Sequence, residues 1–96
     1  PIGMGAMGLQ DAFFRLGLPF DSDDAREISK RVQEEIYFAA METSCELAAE
    51  AGAHDNFAET RAAQGLLQFD LWGVTPTNPD RWETLKAKIK KHGLRN

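Results

Sequence analysis

DSDDAREISKRVQEEIYFAAMETSCELAAEAG, residues 21–52, carries more structural information than any other part of the chain. Pro19 and Phe20 stand outside any preceding helix. Asp21 or Ser22 can cap the first free N–H groups, and Asp23, Asp24 and Glu27 place negative charge at the positive end of the helix dipole. Ile28, Val32, Ile36, Ala39, Ala40, Thr43 and Leu47 recur at steps of three and four, which predicts one apolar helical face. Gly52 supplies the stop. Such a helix is roughly 45 Å long at ~1.5 Å per residue, too long for a small domain to enclose. Its middle, Ile36-Tyr37-Phe38-Ala39-Ala40-Met41, is apolar on every side, a pattern expected of a helix buried all round. The rest of the chain is too small to cover it. The expectation is therefore a piece of something larger, and a start at Pro-Ile-Gly without an initiator Met points the same way.

Outward from this helix the bounds are simple. At 96 residues the chain is one domain or less, and its core is modest. No apolar run approaches the roughly 20 residues that span a bilayer. Cys45 is the single cysteine, which excludes an internal disulfide and fits a reducing, cytoplasmic setting. Residues 1–79 hold 5 Lys/Arg against 13 Asp/Glu, whereas residues 80–96 hold 6 against 2. An acidic bulk argues against nucleic acid as a partner.

Toward the N-terminus, Gly3, Gly5 and Gly8 have the spacing of a dinucleotide-binding fingerprint. No apolar strand precedes them and no ribose-binding acid follows, so a tight turn is the better reading. A short helix with Leu9, Ala12, Phe13 and Leu16 on one face then runs to Gly17. Toward the C-terminus, residues 53–65 have weak helical or turn character, with His54 in a polar setting at the surface. Leu67, Phe69 and Leu71 alternate with Gln68 and Asp70, which predicts a short extended segment closed by Trp72-Gly73. Val74 to Pro79 is a stiff connector, because each Pro pushes its predecessor toward extended geometry. Asn78 and Pro79 then open a last helix that buries Trp82, Leu85 and Ile89 and stops at Gly93.

Candidate chemistry is sparse. Glu27 and Arg31 form an i,i+4 pair. Glu42, Glu46 and Glu50 line up at steps of four, but a helical metal site also needs a Glu-x-x-His pairing, so the row reads as a solvated face. Cys45 is expected to have no nearby His, Lys or Arg to stabilise a thiolate and reads as an inert, half-buried thiol. His54 and His92 are too few for a metal cluster. Lys86, Lys88, Lys90, Lys91 and Arg95 read as helix-end charge rather than a nucleic-acid patch, since no aromatic lines up beside them to stack a base. From the residues alone the chain is mainly α, with three helices and a short extended segment, and it assembles no reaction.

The ordered segments carry a resemblance. Pro1-Ile2-Gly3-x-Gly5-x-x-Gly8-Leu9 opens the set, followed by Leu18-Pro19-Phe20-Asp21-Ser22. Next come Ser44-Cys45-Glu46-Leu47-Ala48 with Glu50 and Gly52, then Gly65-x-Leu67-Gln68-Phe69-Asp70-x-Trp72. Val74-Thr75-Pro76-Thr77 and Lys88-Ile89-x-x-His92-Gly93-Leu94-Arg95-Asn96 complete it. In this order the chain resembles the large, catalytic subunit of ribonucleotide reductase, nearer the class that works with a separate radical-generating small subunit. The resemblance implies an internal segment, residues 1–96, of a ten-stranded α/β barrel in a cytoplasmic oxidoreductase that supplies deoxyribonucleotides for DNA synthesis.

In that family a cysteine thiyl radical takes the 3′ hydrogen, and a Glu and an Asn assist loss of the 2′ hydroxyl. The radical cysteine lies in an Asn-x-Cys-x-Glu loop, and substrate phosphate is held by a Pro-Thr-x-Ser/Thr loop. Neither motif occurs here, and Cys45 matches no catalytic position, so no catalytic, substrate-binding, cofactor-binding or metal-binding residue carries over. The implied partners are the remainder of the large subunit, the radical-generating small subunit and a thioredoxin-like reductant, with no nucleic acid and no membrane. The Gly3–Gly8 turn becomes an interior hairpin, the long helix an outer packing layer, and Gly93-Leu94-Arg95-Asn96 the lead into a barrel strand. The rival from the residues alone is a free-standing helical module that docks a partner helix on residues 36–41.

Overall fold

The computed structural model describes residues 2–96; Pro1, the first residue of the glycine-rich run, lies outside the described residues. Four α-helices follow one another: α1 (Leu9–Leu16), α2 (Asp23–Ala51), α3 (Gln68–Trp72) and α4 (Pro79–His92). Two single 3₁₀ turns, Phe57–Glu59 and Ala62–Gln64, lie between α2 and α3. Among the described residues there is no β-strand. The chain divides into two compact units, residues 1–36 and residues 37–96, and α2 contributes to both.

In the first unit the Gly3–Gly8 run is irregular backbone, not a hairpin. Of its glycines only Gly8 has positive φ, and its carbonyl accepts the Ala12 N–H at 3.0 Å to open α1. The α1 stop at Gly17 is as predicted, with Leu18 N–H returning to the Phe13 carbonyl. Only Phe13 of the predicted α1 face is buried; Ala12 and Leu16 lie exposed. The Phe20 ring meets Phe13 edge-on at 6.4 Å. Ser22, one of the two predicted caps, starts α2: its Oγ accepts from Ala25 N–H at 3.1 Å and donates to the Pro19 carbonyl at 2.7 Å. The Glu27–Arg31 pair forms at 2.8 Å on an exposed face and is worth little to stability.

The second unit is built around Trp82. Its ring packs against Phe69 at 4.8 Å, Phe38 at 5.0 Å and Tyr37 at 5.5 Å, and only 1% of the residue is exposed. Cys45, Leu67, Leu85, Ile89 and Leu94 complete this core, with Met41, Phe57 and Phe69 half-buried beside it. The predicted buried face of α4 is thus confirmed at Trp82, Leu85 and Ile89. Asn78 caps α4 as expected by accepting the Arg81 N–H, with Pro79 at the first helical position.

Two expectations are corrected here. The first concerns which face of α2 is covered. In the second unit the buried residues of α2 are Phe38, Cys45 and Ala48, whereas Ala39, Thr43 and Leu47 of the predicted face lie exposed. At about 100° per residue the predicted and observed sets point to opposite sides of the helix. The residue 36–41 turn is therefore not bare all round: Tyr37, Phe38 and Met41 are sheltered by the core, while Ala39 is not.

The second correction is that Leu67–Leu71 is not extended. Residues 68–72 form α3, because the Asp70 carboxylate reaches back to accept the Leu67 N–H at 2.8 Å and the Tyr37 hydroxyl accepts the Gln68 N–H at 3.2 Å. These satisfy two of the first orphan donors of the helix. Among the described residues the fold is accordingly four helices and two 3₁₀ turns rather than three helices and a short extended segment.

Gly93 closes α4 in a conformation reserved for glycine, φ 79° and ψ −163°. A Cβ there would lie 2.5 Å from the Ala53 Cβ and 3.2 Å from the Phe57 ring. The close approach lets residues 93–96 turn back along α2.

Candidate functional site

Within the second unit the residues singled out by chemistry fall at three separate places. The first is a groove of about 360 Å³ between α2 and α4, lined by Glu42, Cys45, Glu46 and Ala49 on one wall and Lys88, Lys91 and His92 on the other. Folding thus brings a histidine and two lysines to the neighbourhood of Cys45, although none adjoins it in sequence. That corrects the expectation of a thiol without cationic neighbours.

The thiol nevertheless remains a thiol. Burial pushes the Cys45 pKa up, the positive charge of Lys88 opposes this, and Glu46 adds to the rise. The net direction is upward, so thiolate chemistry at neutral pH is disfavoured. Cys45 is buried rather than half-buried, as a core member between α2 and α4. Of the acidic row, Glu42 is half-buried in the groove, while Glu46 and Glu50 are exposed. Among the described residues no three His, Cys, Asp or Glu side chains are arranged to hold a metal ion.

The second place is the α3–α4 contact. Lys86 donates to Asp70 at 2.8 Å and to Glu83 at 3.2 Å, and its ammonium lies 5.1 Å from the Phe69 ring centroid. Burial alone would lower its pKa, but the hydrogen bonds and charges of Asp70 and Glu83 outweigh it and the pKa is raised. Lys86 is thereby removed from the basic set. Lys88 and Lys91 face the groove, and Arg95 donates from Nη1 to the Gly52 carbonyl at 3.3 Å. Lys86, the Lys88–Lys91 pair and Arg95 therefore serve three different contacts.

The third place is the run Gly93–Asn96. His54, expected in a polar surface setting, is half-buried: its backbone N–H donates to the Leu94 carbonyl at 3.0 Å and its ring stands edge-on to Phe57. Ser44, to which the sequence reading gave no role, receives this run. Its Oγ accepts the N–H groups of Arg95 at 3.1 Å and Asn96 at 3.0 Å and donates to the Asn96 carbonyl at 3.2 Å. Nothing local in the sequence signals a partnership across 52 residues. Gly3, Gly5 and Gly8 belong to the first unit, and among the described residues a Cβ built at Gly3 or Gly5 would meet no atom within 4 Å, while one at Gly8 would meet the Asp11 carboxylate at 4.0 Å. Among the described residues no helix is long and apolar enough to cross a membrane.

Comparison with known proteins supplies what this geometry does not. The family model described as "Ribonucleotide reductase, barrel domain" matches residues 1–96. The chain is 50% identical over 96 residues to the ribonucleoside-diphosphate reductase large subunit of Caenorhabditis elegans, covering 100% of this chain and 12% of that protein. It is 49% identical to the large subunit of Vaccinia virus (strain Copenhagen), again over 12% of its length. It is 50% identical to the large chain of Neurospora crassa, over 10% of its length. The chain thus spans roughly an eighth of most of these relatives.

Proposed function

The chain belongs to the ribonucleotide reductase barrel-domain family, and on that premise we propose that it is a scaffold segment of a ribonucleoside-diphosphate reductase large subunit. The segment works by packing. It supplies no catalytic, substrate-binding, cofactor-binding or metal-binding side chain of its own. The observation that carries this reading is the match along every residue of a chain that covers 12% of its relatives. The parent protein reduces ribonucleotides to deoxyribonucleotides by thiyl-radical chemistry, in the cytoplasm. It acts with a radical-generating small subunit and a dithiol reductant of the thioredoxin kind. The segment sits among the strands and outer helices of a ten-stranded α/β barrel.

The surface supports this. Large apolar side chains stand open in each unit: Met7, Phe14 and Phe20 in the first, Trp72 and Val74 in the second, each at least half exposed. Isolated surface apolar residues are ordinary, but aromatics and methionines exposed to this extent in so short a chain call for a cover. On this reading the remainder of the large subunit provides it.

The test has two arms. The full-length protein carrying these residues, assayed with its small subunit and a dithiol, converts ribonucleoside diphosphates to the deoxy products. Residues 1–96 alone show no turnover and bind an apolar-surface dye. A dye-silent monomeric 96-residue chain, or a full-length protein inert under these conditions, would overturn the assignment.

A further inference from the structure

The run Gly93–Asn96 is held more firmly than its share of the core explains. Leu94 is a core side chain, 4% exposed, and burial accounts for its own position. It does not account for Arg95 and Asn96, which are exposed. Their backbone is nevertheless fixed by one side chain on α2. A hydroxyl has one proton to give and two lone pairs to fill, and Ser44 Oγ uses all three on residues 95 and 96. The Arg95 N–H is shared with the Ser44 carbonyl at 3.1 Å. Arg95 then adds its guanidinium to the Gly52 carbonyl at the end of α2, and Gly93 sets the entry by lacking a Cβ.

We infer that Ser44 is a positioning residue: it fixes the path of the backbone through Arg95 and Asn96. The run becomes a strap aimed in one direction along α2 rather than a frayed helix end. Exposed residues gain no burial from being arrested, so what the arrest secures is direction. Alanine at this position leaves the Asn96 N–H and backbone oxygen to water, while the Arg95 N–H keeps only its bond to the residue 44 carbonyl, so the path beyond Arg95 loosens. Threonine keeps the hydroxyl and with it the hold. The effect on turnover rests on the functional reading above; the local hold does not.

The test uses the full-length protein with Ser44→Ala and Ser44→Thr. Hydrogen exchange in Ser44→Ala is expected to accelerate on the order of tenfold at the Asn96 amide, which loses its acceptor, and less at the Arg95 amide, which keeps the residue 44 carbonyl. The α4 amides from Leu85 to Ile89 stay protected. Reductase kcat falls several-fold with little change in melting temperature, and Ser44→Thr restores both exchange and kcat. Undiminished protection at Asn96 overturns the inference. So does an equal loss of protection through α4, which marks plain packing, and so does local release with unchanged kcat. Should the unsubstituted protein fail to reduce ribonucleoside diphosphates, the functional reading falls, and exchange at residues 95 and 96 still decides whether Ser44 holds the strap.

Discussion

Gly93→Ala is the substitution whose cost the structure defines best, because two separable penalties meet at one atom. Alanine at φ 79°, ψ −163° occupies a backbone region that costs side-chain-bearing residues on the order of 1–3 kcal/mol. Its Cβ would also stand 2.5 Å from the Ala53 Cβ, a backbone-anchored atom that cannot rotate away. Relief by shifting the 53–57 segment or the strap is an overpacking cost of about 1–3 kcal/mol. Together the loss is about 2–6 kcal/mol, a large part of a small unit's stability. Gly52→Ala is the control, since it has φ 86° but open space around its Cβ position. Only the left-handed backbone term, about 1–2 kcal/mol, applies there.

Urea unfolding of residues 1–96, followed by Trp82 fluorescence in a Trp72→Phe background, measures each ΔΔG. Adding Ala53→Gly completes a double-mutant cycle. It recovers the steric part in the Gly93→Ala background and leaves the backbone part in place. Equal costs at Gly93 and Gly52, or a coupling near zero between positions 93 and 53, would refute the reasoning.

Trp82→Ala removes the aromatic against which Phe38, Phe69 and Tyr37 pack, and costs about 3–5 kcal/mol. Trp72→Ala, at a side chain 71% exposed, changes urea stability of the isolated chain by less than about 0.5 kcal/mol. Alkaline pH weakens the second unit through Lys86, whose folded pKa is raised above its unfolded value. Its stabilisation is complete below the unfolded pKa and disappears as pH climbs through the folded one. Burial likewise raises the Tyr37 phenol and adds in the same direction, so Lys86→Met flattens only part of the alkaline fall in a melting-temperature series. Cys45 alkylates slowly at neutral pH, and Lys88→Gln slows it further, because the charge that partly offsets burial is gone. Iodoacetamide labelling rates against pH check both statements, and faster labelling in the variant contradicts them.

Helix boundaries were legible wherever a terminus is signalled by its own residues. Ser22, Asn78 with Pro79, Gly17 and Gly52 all act within one turn of where they sit, so local chemistry is enough to find them. The α4 face was legible for a similar reason: it has one apolar stripe, and that stripe is buried. The α3 segment was misread because five residues are too few to separate a two-residue period from a helical one. The deciding signals were an acid three residues after Leu67 and a glycine after Trp72, and they were present in the sequence. The groove and the Ser44 strap were beyond local reasoning, since each joins α2 to residues more than 40 positions away.

The misread face of α2 has a different origin, and it bears on function. Periodicity finds apolar residues at helical spacing; it does not say which stripe meets a partner inside the same 96 residues. In its second half α2 carries two such stripes. Phe38, Met41, Cys45 and Ala48 make one, and Ile36, Ala39, Ala40, Thr43 and Leu47 make the other. Trp82 and its neighbours cover the first, while Leu47 on the second is 48% exposed. A helix in a two-layer fold needs one apolar stripe. A second stripe is kept only where a further layer covers it, because an uncovered one promotes aggregation without adding stability. On the scaffold reading, Leu47→Glu leaves the urea stability of residues 1–96 within about 0.5 kcal/mol. The same substitution destabilises the full-length protein by the cost of burying an unpaired charge, about 3 kcal/mol or more. Equal effects in the two contexts would mean that nothing packs on the second stripe, and the scaffold reading would lose its main structural support.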